Sequence, residues 1–142
     1  MFDIRLLSRA LPLSAFGELS IGAHRENFSA DLALWEEEDY QASWVRSAAH
    51  VIEHGHGRFL VSVTSGGMYE TWTCHARGAS VRIFKSILLS TATERFDSPA
   101  DAETPAEDFA SRREASPALN YYRCNLVDIA DFEARLRGKV VN

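Results

Sequence analysis

The sequence predicts an α+β fold: a single domain, built mainly from an antiparallel β-sheet of about five or six strands with two helices set apart from it. Three observations predict it. Short runs alternate apolar and polar residues, tight Gly-containing turns join several of these runs, and two longer segments switch to a helical period. The length of 142 residues suits one domain, residues 1–142. With 46% hydrophobic and 25% charged residues, the chain has globular composition, which excludes a wholly disordered chain, a coiled coil or a collagen-like repeat.

Each element follows from its pattern. Residues 2–7 read as a short strand, closed by Pro12 or the loop around it. Leu19, Ile21 and Ala23 alternate with Glu18, Ser20 and Gly22; after a polar turn, Phe28, Ala30, Leu32 and Leu34 resume the alternation. Two such runs across a short turn make a hairpin with one buried face. The carboxylates Glu36 to Asp39 suit the positive end of a helix dipole and open a helix reaching His54. Tyr40, Trp44, Ala48, Val51 and Ile52 form its apolar stripe, and Gly55 and Gly57 stop it. Arg58–Thr64, Met68–Ala76 and Ser80–Leu89 then read as a meander, turning at Ser65-Gly66-Gly67 and Arg77-Gly78-Ala79. In the middle strand Met68, Trp72 and Cys74 share one face. Tyr69, Thr71, Thr73 and His75 share the other, either exposed to solvent or covered by the second helix.

Residues 90–118 change character. Pro99, Pro105 and Pro117 fall here, with Asp97, Asp101, Glu103, Glu107 and Asp108 among the carboxylates and few large apolar residues, which predicts a long acidic surface loop with one helical turn near residues 106–112. Loops of this length inside a compact domain usually bind something or move. Leu119–Cys124 reads as a last strand. Asn125 then caps a helix over Leu126–Arg137, with Ile129, Phe132 and Leu136 inward and Gly138 ending it.

Charge and compartment narrow the function. Fifteen Lys and Arg against twenty Asp and Glu give a net charge of −5. That argues against a nucleic-acid binder, which draws affinity from cations, and for a basic partner. No apolar run is long enough to span a membrane. Asp3, Arg5 and Arg9 break the run a secretion signal needs, so a cytoplasmic location is expected, with Cys74 and Cys124 as free buried thiols.

Enzymatic readings find little support. His50-Val51-Ile52-Glu53-His54 matches the H-x-x-E-H pattern, in which two imidazoles bind zinc and the glutamate acts as base; His56 would be a third ligand. On the helical wheel His50, Glu53 and His54 fall away from the apolar stripe, where a solvated helix end is expected instead of a dry cleft. A metal-dependent hydrolase is therefore only a weak alternative, and no metal or other cofactor is expected. There is no nucleophile elbow, and Cys74 and His75 are strand neighbours that point to opposite faces. Ser65-Gly66-Gly67 is too short for a phosphate cradle. The residues suited to meeting a protein partner are Asp97, Asp101, Glu103, Glu107 and Asp108 in the acidic loop, with Tyr69 and Thr71 on the strand face.

The order of residues also resembles a known family. An apolar run ends in Trp (Phe28 to Trp35), and Glu37-Glu38-Asp39-Tyr40-Gln41-Ala42-Ser43-Trp44 opens the helix. Tyr69-Glu70-Thr71-Trp72 and Val81-Arg82-Ile83-Phe84 lie in strands, and Tyr121-Tyr122-Arg123 precedes a helix with Asp128, Ile129 and Phe132. Over roughly residues 16–135 this resembles the CdiI-type immunity proteins of bacterial contact-dependent growth inhibition systems. The resemblance implies a cytoplasmic, non-catalytic protein that binds the C-terminal toxin domain delivered by a neighbouring cell and blocks its active site. It implies a protein partner, in many cases a nuclease, and no direct contact with nucleic acid or membrane. The alternative of another class is a small regulatory or scaffold α+β domain.

Overall fold

The computed structural model describes residues 1–89, 99–105 and 121–141. The strands are β1 (Phe2–Leu11), β2 (Ser14–Ile21), β3 (His24–Asp31), β4 (His56–Val63), β5 (Met68–Arg77), β6 (Ser80–Leu89) and β7 (Tyr122–Asn125); the helices are α1 (Glu37–His54) and α2 (Leu126–Val141). The predicted α+β class with antiparallel pairing is what the chain forms. The strands divide into two sheets, ordered β1-β2-β3 and β4-β5-β6-β7. The split falls where α1 intervenes, because the eighteen-residue helix separates two sets of strands joined by tight turns.

The first sheet is a meander in which β2 pairs on both sides. Gly17 lies opposite Phe28, and a Cβ on Gly17 would come within 2.2 Å of the tip of the Phe28 ring. The second sheet is continuous from β4 to β7, but β7 pairs only with Ser80–Ile83, the first part of the ten-residue β6.

α1 begins where the Asp39 carboxylate accepts the Glu36 backbone N–H at 2.8 Å. It ends at Gly55, whose φ of +84° is the left-handed conformation that glycine adopts without penalty. Gly57 follows because the helix sits tightly on β4: a Cβ there would come within 2.9 Å of Val51 and 3.0 Å of the Ser47 carbonyl oxygen. The buried side of α1 comprises Tyr40, Ser43, Trp44, Ser47, Ala48 and Val51. It is rotated from the expected stripe: Ser43 and Ser47 are inside, while Ile52 is exposed. Small serines allow the close approach that a strictly apolar stripe would not. α2 continues through Gly138 to Val141, so that glycine does not end it, and the Asn125 backbone N–H donates to the Asp128 carboxylate at 2.9 Å.

The core joins both sheets and both helices. Phe2 of β1 packs on Phe59 of β4 and Phe132 of α2, with ring centroids 5.0 and 5.1 Å away. The Trp44 indole N–H donates to the Leu60 carbonyl at 2.7 Å. Tyr40 ties three elements: its hydroxyl donates to the Asp31 carbonyl at 2.5 Å and accepts the Val63 N–H at 2.9 Å. Burial pushes the Tyr40 phenol up to about 12. The His24 ring stacks on Tyr122 at 3.9 Å and links β3 to β7.

Candidate functional site

The structure separates the residues expected to meet a partner. Asp97, Glu107 and Asp108 lie outside the described residues. Asp101 is exposed on a 3₁₀ turn, Pro99–Glu103, inside the segment expected to be a surface loop. Glu103, two residues on, is buried. Its carboxylate accepts from Ser43 Oγ at 2.6 Å and from Arg46 Nη2 and Nε at 2.7 and 3.2 Å. This hydrogen bonding to Glu103 also raises the Arg46 guanidinium above its ordinary value. The expectation of a solvated Glu103 is therefore corrected: a carboxylate beside an arginine and a serine on α1 is satisfied inside the fold. The 3₁₀ turn also buries Ala102, and buried Arg58 of β4 approaches the Ala102 carbonyl at 3.5 Å.

Tyr69 and Thr71 are corrected in the same way. Both are buried, as is Thr73, so the second face of β5 is not an exposed contact surface. Thr71 and Thr73 keep Oγ1 atoms with no hydrogen-bond partner. Sequence reasoning left this face as either exposed or covered because Thr and Tyr are compatible with either environment, whereas a Glu or Arg would have marked the face as wet.

Register reveals a cluster that linear reading did not. His56, His75, Arg82 and Arg123 are successive partners across β4, β5, β6 and β7. Arg82 and Arg123 also lie over the Tyr121 ring, 5.1 and 5.5 Å from its centroid. A chain of net charge −5 thus carries two imidazoles and two guanidinium groups in one row across one end of its larger sheet. Counting charges along the chain could not show it, because the four residues come from four strands.

The H-x-x-E-H segment occupies the last turns of α1. His50 is half-buried at the flank of the rotated stripe, and His54 is exposed. Their ring centroids are 4.5 Å apart, and the His56 ring is 4.9 Å from His50. Among the described residues, no group of three or more His, Cys, Asp or Glu is arranged to hold a metal ion. Cys74 and Cys124 are free and buried. Burial holds the Cys74 thiol well above its usual range and pushes Cys124 up to about 12, with Asp128 adding to the latter. Both are thus inert thiols, unsuited to nucleophilic chemistry.

Two shallow clefts of about 300 Å³ flank the first sheet. One, between β1 and the helices, is lined by residues including Arg5, Gln41, Arg135 and Lys139; the other is lined by Leu7, Ser8, Phe16, Gly17 and Asn27. Neither holds a base, nucleophile and orienting group together. What the described surface offers is a folded body with exposed charged side chains and some exposed apolar ones, among them Leu7, Phe16 and Ile87.

The comparisons with known proteins fit that body. No family model and no curated protein matches the sequence. Among solved structures, a chain of the CdiA-CT/CdiI toxin and immunity complex from Enterobacter cloacae superposes with a TM-score of 0.76. The match covers 97% of this chain and 99% of that one at 19% identity. What the two chains share is the fold. The likeness runs through both sheets and both helices, so it extends over the whole span in which the sequence resembles CdiI-type proteins.

Proposed function

We propose that this chain is an immunity protein: it binds the C-terminal toxin domain of a contact-dependent growth inhibition system and neutralises it by occlusion. The observation that carries the reading is a CdiI-type fold spanning 97% of the chain. We take the toxin to be a nuclease, whose nucleic-acid groove must be basic. A body with net charge −5 is steered onto such a surface and associates quickly. The protein acts in the cytoplasm, where thiols such as Cys74 and Cys124 stay reduced.

With Glu103 engaged internally, the acidic contact set reduces to Asp97, Asp101, Glu107 and Asp108. The test is co-expression with the toxin domain encoded beside this gene. Protection of the host cell and a co-purifying complex are expected; a toxin that kills unimpeded and elutes alone overturns the proposal. Charge reversal at Asp101 and Glu107 should slow association, most at low salt. An unchanged on-rate removes this segment from the interface.

A further inference from the structure

The end of α1 carries a feature that the proposed function does not invoke. His50 and His54 stand one turn apart on the same helix face, with ring centroids 4.5 Å apart and planes tilted by 39°. His50 Nδ1 lies 2.6 Å from the His56 carbonyl oxygen. A carbonyl only accepts, so Nδ1 carries the proton and Nε2 of the neutral ring keeps its lone pair. A backbone carbonyl fixing the far nitrogen is the arrangement that orients metal-bound imidazoles and raises their basicity. The carbonyl is in place because Gly55, at φ +84°, reverses the chain immediately after the helix. The Glu53 carboxylate, 3.9 Å from His54 Nε2, adds negative charge beside the pair.

We propose that His50 and His54 form a two-imidazole site for a divalent transition-metal ion of the zinc, nickel and copper class. Imidazole nitrogens select these ions over magnesium and calcium, which require oxygen donors. The protein supplies two ligands and water fills the remaining positions. This open coordination separates the site from hydrolytic zinc centres, which hold the ion with three protein ligands in a shaped cavity. Binding would clamp the last turn of α1 to the start of β4 through His50 and the His56 carbonyl, and so favour the folded chain by linkage. The site stands apart from the proposed toxin reading and does not depend on it.

The experiment is calorimetric titration of the full, tag-free chain with nickel, zinc, copper and magnesium chlorides. One equivalent of each transition ion should bind, copper most tightly, and magnesium should not. His50→Ala and His54→Ala should each abolish that binding, while His56→Ala, which retains the backbone carbonyl, should preserve it. Both histidines reach the surface, and circular dichroism checks that each variant is folded. Absence of binding to the wild-type chain overturns the site, and so does undiminished binding to folded His50→Ala or His54→Ala protein. Loss in folded His56→Ala protein alone would also overturn this ligand set.

Discussion

The two sheets begin from similar sequence patterns and end in different environments. In β2 and β3 of the first sheet, buried and open positions largely alternate, and Arg5, Phe16, Arg25, Asn27 and Ser29 face outward. In the second sheet, β4 is buried from Gly57 to Val63 and β5 is buried on both faces through its centre. The difference lies in the kind of polar residue that fills the off-core positions. The first sheet uses Arg, Glu and Asn, whose desolvation would be costly. In β4 and the centre of β5 these positions hold mostly Thr, Ser and Tyr, and Arg58 of β4 goes inside. Alternation therefore locates a strand, whereas the chemistry of its polar half tells whether the other face meets water.

The sharpest way to test this contrast is to truncate one aromatic in each sheet. Trp72→Ala should cost about 3–5 kcal/mol, because the indole is buried against its neighbours. Phe16→Ala should cost less than ~1 kcal/mol, since Phe16 is 49% exposed. Urea midpoints measure both, and equal losses would break the comparison.

A second test uses pH, because both thiols lie in the second sheet. Cys74, Cys124 and the Tyr40 phenol ionise less readily when folded than when unfolded. Each raised group stabilises the fold fully below its unfolded pKa, and that contribution is lost as pH rises towards the folded value. Denaturation midpoints should therefore fall from about pH 9 upward. Iodoacetamide should leave both cysteines unmodified in native protein at pH 8 and label both after unfolding; rapid native labelling would contradict the burial.

Glu103→Ala should have the next largest effect, about 1–3 kcal/mol, from lost bonds to Ser43 and Arg46. The figure stays below that for a fully buried ion pair because Arg46 is 54% exposed. A variant of unchanged stability but weakened toxin binding would return Glu103 to the interface. Thr71→Val should be the mildest change. It replaces a buried hydroxyl that has no partner, so stability should stay level or rise by up to ~1 kcal/mol. A clear loss by thermal melting would show that the second face of β5 is wetter than its burial implies.

Most of the fold was legible in the sequence because periodicity and turn glycines act locally. The three strands from Arg58 to Leu89 and the start of α1 required nothing beyond neighbouring residues. The division into two sheets was not legible, since strand pairing across α1 depends on contacts such as Tyr40 with Asp31 and Val63. The candidate site was less legible still. Glu103 reads as one more carboxylate in an acidic stretch until Arg46, 57 residues earlier, is brought beside it. The His56–His75–Arg82–Arg123 row exists only through register. Side-chain chemistry survives in one dimension, whereas juxtaposition across strands does not.

The Gly17–Phe28 pair has an evolutionary corollary. The aromatic ring occupies the space that any side chain at position 17 would need. Mutational drift at either site is then constrained by the other: Gly17→Ala is rejected while Phe28 stays, and shrinking Phe28 alone opens a void. Concerted exchange keeps this packing, so diverged homologues are expected to change the two positions together or not at all.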